Sequence, residues 1–575
     1  MAGIYGVLLN NQTHEKIFKN FYNAGFSNTF GEEIVHSTFK FGRSVSNKFE
    51  KDRFLFENDR YIICYEGINY SKIRRPEDFI EEFEKRGKDF VNDLKGTFTG
   101  FIFDKTKERI LVYNDPLSTR RIFYYYDHYH GFAFSSEMHV LSRLLRNSNI
   151  SLQIDRDAIY SLALYGQLFN EMTTVCEINK LGYGSTLEVD LKSNKIQETP
   201  YYRFIKKEEN LSIDDAIEGI DTLMTKAIAD EWNKDKEYGY EHIGLISGGM
   251  DSRVNTMIAA ELGFENIKTY TYGSPDSSDV QIAQKIAADR FDSHLQYNFQ
   301  HGRFYTENVF KNYIRAGEGM VLFTAHATIY NALKTLNLQP HGILHSGQIG
   351  DVLFGSFLKP NFNFIKNKGS IGLTGFINKP ELLEKIGFLE EMLSNYNHTD
   401  FEIYAFEQRQ VNGTLMGDHL FNNFIDLSSP FYNTELIDFC LNIPNKYKTN
   451  QSIYFKWMKT KHPDLLNYRW EKIGLKPNSD FKINYGRLIK KYVNGGKKYL
   501  GWNYDSMSPI STWFKQDPTI LGHFDRLFKE NIGLINDVEL QNDLTAIYQA
   551  DIFEYRNKFS VLSALLGVRL HVYDS

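Results

Sequence analysis

The hydrophobic rhythm of the chain changes near residue 205. Before that point, short apolar or alternating runs bounded by turn formers read as strands: Ile4–Leu9, Arg60–Tyr65, Phe98–Phe103, Arg109–Tyr113, Ile122–Tyr126 and Phe132–Ser135. Helical spacing interrupts them near Pro76–Arg86 and Ser136–Arg146. Thr199-Pro200-Tyr201-Tyr202-Arg203-Phe204 closes this half, and Lys206–Asn210 is a charged linker. From Ser212 onward, long amphipathic helices alternate with short apolar strands, the βαβ pattern of a parallel sheet. A helix starts at Ser212-Ile213-Asp214-Asp215 and is predicted to run to about Asp230. Strands follow at His242–Ile246, Ile267–Tyr272 and Ile343–His345, with helices at Asp251–Leu262 and Asp279–Arg290. The pattern predicts an α+β unit over 1–204 followed by an α/β unit over 205–575. No internal repeat or low-complexity tract interrupts it.

Composition narrows the function. At 575 residues the chain is longer than one hydrophobic core sustains, so two cores are expected. A net charge of −6 with no long basic run gives no basis for nucleic-acid binding. Cys64, Cys176 and Cys440 match no zinc or disulfide spacing. No apolar stretch approaches membrane-spanning length and the first residues lack a charged-then-apolar signal, so no membrane partner is expected and the cytosol is the default location. The oligomeric state is open, a homodimer included.

The candidate chemistry lies where the first strand of the second half turns into a helix. There Ser247-Gly248-Gly249-Met250-Asp251-Ser252 forms a glycine loop at a helix N-terminus, which offers backbone N–H groups and the positive end of the helix dipole to an anion. Ser247 and Ser252 add hydroxyl donors. Asp251 would repel a bare phosphate, so its presence implies a nucleotide accompanied by Mg²⁺. Without a following Gly-Lys-Ser/Thr this is not a Walker loop. It resembles the pyrophosphate loop of the N-type ATP pyrophosphatases, in which the loop grips the β,γ-phosphates while a substrate oxygen attacks the α-phosphate.

Further segments extend the resemblance to the asparagine synthetase family over nearly the whole chain. Tyr270-Thr271-Tyr272-Gly273-Ser274-Pro275-Asp276-Ser277-Ser278-Asp279 looks like the family segment that lies against adenine. Ser346-Gly347-Gln348-Ile349-Gly350-Asp351-Val352-Leu353-Phe354-Gly355 looks like the family's Ser-Gly-Glu-Gly-x-Asp-Glu-Leu-Phe-Gly, and Ser429-Pro430-Phe431-Tyr432-Asn433 like its Arg-x-Pro-Phe-Leu-Asp. The resemblance implies an N-terminal αββα sandwich of the Ntn-hydrolase type and a C-terminal parallel-sheet domain of the adenine-nucleotide α-hydrolase (PP-loop) type with extra helices. It also implies ATP as cosubstrate, bound by Leu245, Ser247, Gly248, Gly249, Asp251, Ser252, Tyr272, Gly273, Ser346 and Gly347. Asp251 and Asp351 would hold Mg²⁺. A catalytic lysine is implied as well; Lys446, Lys448, Lys456 and Lys472 are all nearby in sequence, spacing does not select one, and Lys448 is the choice made here.

The departures from the family pattern shape the expected reaction. Gln348 stands where the family has an acid, and a neutral amide cannot accept a proton near pH 7. The family's glutaminases begin Met-Cys-Gly-Ile; this chain begins Met1-Ala2-Gly3-Ile4, and a methyl group is no nucleophile. The Arg-Gly-Pro-Asp substrate motif is missing, and Glu66 stands where the oxyanion-binding Asn belongs. Structural segments such as Asn114-Asp115-Pro116-Leu117-Ser118 and Phe134-Ser135-Ser136-Glu137 persist. The expected protein is an ATP-dependent, AMP-forming ligase with an inactive glutaminase-like half. It would take a small-molecule or peptide carboxylate and an amine donor, which is free ammonia, a separate substrate's amino group or an amine within the same substrate. A peptide or small-molecule cyclase of the lasso-cyclase or β-lactam-synthetase type is the alternative, for which Tyr404 and Glu407, three apart on an expected helix, are a candidate base pair. A non-catalytic nucleotide-binding scaffold is the other.

Overall fold

The computed structural model describes residues 3–9, 16–22, 29–322, 324–374, 377, 379–397, 400–499, 505–550 and 555–574. In the first half the strands are β1 (Gly3–Leu9), β2 (Thr29–His36), β3 (Phe39–Ser46), β4 (Phe54–Glu57), β5 (Tyr61–Asn69) and β6 (Gly96–Asp104). They continue with β7 (Arg109–Asn114), β8 (Phe123–Asp127), β9 (Gly131–Ser135), β10 (Asn179–Lys180), β11 (Ser185–Asp190) and β12 (Lys195–Pro200). They form two six-stranded antiparallel sheets, ordered β10-β8-β9-β1-β3-β2 and β12-β11-β7-β6-β5-β4.

Alternation along these strands makes the layers, because successive side chains point to opposite faces. Ile62, Cys64, Phe101, Phe103 and Val112 of one sheet meet Ile4, Leu8, Phe41, Phe132 and Phe134 of the other. The outer face of the second sheet, with Tyr61, Ile63, Tyr65 and Phe98, is covered by Phe79 and Phe83 of helix α1 (Pro76–Arg86). The opposite outer face packs against α2 (Met138–Asn147) and α3 (Arg156–Tyr165). The result is the αββα sandwich expected from the sequence.

The second half opens with α4 (Ile213–Tyr238), capped by the Ser212 hydroxyl and stopped by Gly239 at φ 72°. β13 (Glu241–Leu245) leads into α5 (Asp251–Glu261), and β14 (Lys268–Gly273) into α6 (Ser278–Arg290). With β15 (Ser293–Asn298), β16 (His341–His345) and β17 (Asp426–Ser428) they make a parallel sheet ordered β15-β14-β13-β16-β17. The strands absent from the sequence reading include β2 and β15, edge strands whose half-exposed side chains carry little apolar alternation. Helices after residue 300 complete the unit. Among the described residues, no helix is long and apolar enough to cross a membrane.

A buried charge cluster pins one half on the other. Asp426, at the start of β17, accepts two hydrogen bonds from Arg53 at 2.8 and 2.7 Å and another from Arg120. Arg53 also lies 3.2 Å from Glu66. Burial pushes the Asp426 carboxyl up, but Arg53 and Arg120 outweigh it and hold it below the ordinary range. Its stabilisation is therefore full above the unfolded-state pKa and lost as pH falls through the folded-state value. Asp426→Asn should cost about 3–5 kcal/mol, because both guanidiniums stay buried facing an amide. Glu435→Gln, which removes an exposed partner of Lys95, should cost under about 1 kcal/mol. Urea midpoints of the two variants check the contrast; equal shifts would contradict it.

Candidate active site

The site forms where β13 and β16 end side by side. Their parallel register pairs Ile243 with Leu344 and Gly244 with His345, so the loops that follow emerge together. In the first loop, the Ser247 N–H donates to Ser252 Oγ at 3.1 Å and the Gly249 N–H donates to Ser247 Oγ at 3.1 Å. The two hydroxyls are 3.0 Å apart. Buried Arg253 fastens the loop from behind by donating to the carbonyls of Gly248, Leu465 and Arg469.

The second loop reaches the first because glycines allow it. A Cβ on Gly347 would fall 2.2 Å from Ser252 N, and one on Gly350 would fall 2.6 Å from Asp251 Cγ. Ser346 is buried, donating through N and Oγ to the Ser428 carbonyl at 2.9 and 3.0 Å, and its own carbonyl accepts from Asn255 at 2.7 Å. Between them Ile349 sits at φ 59°, a left-handed conformation that a β-branched residue rarely adopts. The family resemblance places a glycine there; in this chain an isoleucine takes the left-handed conformation and carries its strain.

This arrangement brings Asp251 and Asp351 together. Burial and the neighbouring Asp351 charge push the Asp251 carboxyl up to about 7, against the pull of Lys472. Tyr454 donates to Asp251 Oδ1 at 2.9 Å, and Lys472 Nζ lies 3.7 Å from Asp351 Oδ2. Two opposed carboxylates beside a loop of backbone donors fit a divalent cation with a phosphate chain: oxygen ligands suit Mg²⁺, and its charge would relieve their repulsion. Leu245 ends β13, and Tyr272 and Gly273 end the adjacent β14.

Residues beyond 480 help to wall this site. The Ser274 N–H donates to the Met507 carbonyl at 2.9 Å, and the Met507 side chain approaches the open face of Gly273. Lys490, in the helix Asp480–Tyr499, donates to Asp505 at 2.5 Å and to the Glu471 carbonyl, while Asp505 accepts from Ser278. Burial together with Asp505 raises Asp279 to about 6, and burial together with Asp279 raises Glu471 to about 8. Acidic groups therefore crowd the glycine loop from a second side.

Two sequence assignments are corrected. Lys448 is fully buried and bound to both Glu402 oxygens at 2.9 and 2.8 Å and to the carbonyls of Cys440 and Leu441, so its charge is used inside the protein. Lys472, half exposed, is the lysine that faces Asp351. Tyr404 and Glu407 do not pair. Tyr404 donates to the Ile371 carbonyl, and Glu407 accepts from Tyr183 and Tyr396. Residues Ala405–Thr414 form a π-helix, whose wider turn undoes the expected α-helical spacing.

Asp418 is a residue the sequence reading missed. It is buried, and it accepts from Gln348 Nε2 at 3.2 Å and from Tyr432 at 3.4 Å. Burial raises its carboxyl to about 7, with Arg121 opposing. A carboxylate thus stands one hydrogen bond behind the amide at the family's acidic position. Its separation from Gln348 by seventy residues hid it.

Glu66 is fully buried against Arg53, and Ala2 lies outside the described residues. Among the described residues, two other clusters have metal-ligand spacing: Asp235 with His242 and His345, and Glu137 with His139 and Glu318. In the first, Asp235 Oδ2 is 3.1 Å from His242 Nδ1 and 2.9 Å from His345 Nε2, and in the second His139 Nδ1 is 3.0 Å from Glu318. Hydrogen bonding accounts for both without an ion.

Comparison with known proteins matches two successive stretches of the chain. A glutamine amidotransferase domain model matches residues 64–202, and an asparagine synthase model matches residues 219–463. The chain is 27% identical over 277 residues to asparagine synthetase (glutamine-hydrolyzing) 2 of Bacillus subtilis, a match covering 43% of this chain and 36% of that protein. It is 23% identical over 405 residues to putative asparagine synthetase (glutamine-hydrolyzing) 1 of Methanocaldococcus jannaschii, covering 70% of this chain and 65% of that protein. The matched stretches thus span between about a third and two thirds of these relatives. A solved glutamine phosphoribosylpyrophosphate amidotransferase from B. subtilis, complexed with ADP and GMP, aligns at a TM-score of 0.24 and 10% identity over 52% of this chain and 91% of that chain, too slight a likeness to argue from. With both family models matched in order along one chain, the protein belongs to the asparagine synthetase family.

Proposed function

We propose that this protein is an ATP-dependent carbon–nitrogen ligase that adenylates a substrate carboxylate, releases pyrophosphate and passes the acyl group to an amine without hydrolysing glutamine. The observation that most supports this is the convergence of Asp251, Asp351 and Lys472 over the Ser247–Ser252 loop. On this reading residues 205–575 are the synthetase unit and residues 1–204 a glutaminase-like unit that has kept its sandwich and lost its chemistry.

The roles follow from position. Backbone N–H groups of the loop, with the Ser247 and Ser252 hydroxyls, hold the β,γ-phosphates at the N-terminus of α5. Leu245, Tyr272, Gly273, Ser346 and Gly347 line the nucleotide. Asp251 and Asp351 would hold Mg²⁺, which would neutralise charge developing on the leaving pyrophosphate. Lys472 adds a mobile positive charge beside them.

Gln348 and Asp418 act on the amine. Because Asp418 takes the Gln348 Nε2–H, the amide oxygen is left to accept an N–H from the incoming amine. Asp418 thereby fixes the orientation of the amide toward the amine. The amine comes from solution or from the substrate itself. Glu66, paired with Arg53, offers no donor to an oxyanion, and Ala2 offers no thiol.

Pyrophosphate release from ATP and Mg²⁺ tests the proposal, with aspartate plus ammonia, aspartate plus glutamine, and amine-bearing acids and peptides as substrates. Release with a carboxylate and free amine, unstimulated by glutamine, is expected; release confined to an amine-bearing acid or peptide would mark an intramolecular acceptor. Glutamate formed from glutamine would contradict the proposal, as would silence with every substrate despite ATP binding. Ala2→Cys alone should leave glutamine hydrolysis absent. Asp418→Asn, which releases the Gln348 amide from its fixed orientation, should lower kcat by about 100-fold with the KM for ATP unchanged. Lys472→Ala should lower pyrophosphate release without changing the unfolding midpoint, whereas Lys448→Met should lower that midpoint.

A further inference from the structure

A polar cavity of about 140 Å³ lies between the two halves, where the π-helix Ala405–Thr414 meets the segment carrying Lys180 and Tyr183. That is well above the roughly 10–15 Å³ that a single water needs. Its lining is built rather than incidental. Gln408 donates to Asn170 at 2.9 Å and to Tyr396 at 3.1 Å, and accepts from the Asn170 N–H and from Asn412, each at 3.0 Å. These bonds hold one face of the π-helix against the first half of the chain. π-Helical turns cost regular hydrogen bonding and are concentrated at functional sites.

Four charged side chains line this space, Lys180 and Arg203 against Glu171 and Glu407; Arg203 is already engaged, donating to the Tyr183 and Tyr202 carbonyls. Lys180 is buried, and among the described residues the one hydrogen-bond acceptor of its ammonium is the neutral Asn412 side chain. An ammonium has three donors, so acceptor capacity is missing on its open side. Burial pushes Lys180 down to about 8, against the nearby Glu171. Glu407 is held differently: Tyr183 donates to one carboxylate oxygen at 2.6 Å and Tyr396 to the other at 2.7 Å. Each oxygen keeps lone-pair capacity for another donor, and the phenols fix its direction.

We propose that this interdomain cavity binds a small zwitterion of the free amino-acid class, its carboxylate on Lys180 and its ammonium on Glu407. A simple anion would leave Glu407 unanswered and meet repulsion from Glu171; a simple cation would leave Lys180 unanswered. A zwitterion satisfies both. The site is separate from the nucleotide loops and does not depend on the reaction assigned to them.

Isothermal titration of the full chain, without nucleotide, against the common L-amino acids tests it, with acetate and methylamine as the separated halves. At least one amino acid should bind, and more tightly than either half. Lys180→Met and Glu407→Gln should each weaken that binding about tenfold or more, the loss of one hydrogen bond to a charged group. Asn412→Asp, which gives Lys180 an internal carboxylate and keeps the lysine, should weaken it too. Asp351→Asn should leave it unchanged, separating this cavity from the nucleotide site. Failure of every amino acid to bind would overturn the proposal, as would parent-like affinity in correctly folded Lys180→Met and Glu407→Gln variants or equal binding of acetate.

Discussion

The close approach of two carboxylates organises the second half of this protein. Asp251 and Asp351 come from loops nearly a hundred residues apart, and their mutual repulsion in a half-buried setting opposes the contact. What enforces it is the parallel register of β13 and β16 together with the missing side chains of Gly347 and Gly350. The backbone tolerates strain at Ile349 to complete the turn, at a cost on the order of 1–3 kcal/mol. An arrangement that is unfavourable on its own and fixed from several sides is what a site needs if it is to receive positive charge with its phosphate ligand.

The first half shows a different use of charge. Arg53, Glu66, Arg120 and Asp426 form a buried cluster that spans the two halves. Breaking such a cluster is costly even though assembling it gains little, so it fixes how the halves fit rather than how stable each one is. Glu66 stands where the family resemblance leads one to expect an oxyanion-binding amide, and here it meets an arginine instead. In this structure the Glu66 side chain is part of the contact between the halves.

Much of this was legible in the chain because it rests on local rules. Val254, Met257 and Ile258 at helical spacing after a glycine loop mark α5, and Pro76 at a helix start marks α1. The edge strands β2 and β15 were not legible, since half-exposed strands need no apolar alternation. The choice among four lysines failed for a related reason. Burial and partners distinguish Lys448, bound by Glu402, from Lys472 beside Asp351, and neither is written in spacing. Asp418 and the cavity around Lys180 depend on contacts between distant segments, and the π-helical phase of Glu407 departs from the α-helical period assumed for it.

The central claim is that Asp251 and Asp351 together receive the metal that accompanies the nucleotide. Titration with Mn²⁺ followed by electron paramagnetic resonance, in the presence of a non-hydrolysable ATP analogue, measures this directly in the parent, Asp251→Asn and Asp351→Asn proteins. The account predicts analogue-dependent Mn²⁺ binding to the parent that is lost in each variant while the chain stays folded. Undiminished Mn²⁺ binding in both variants would contradict it.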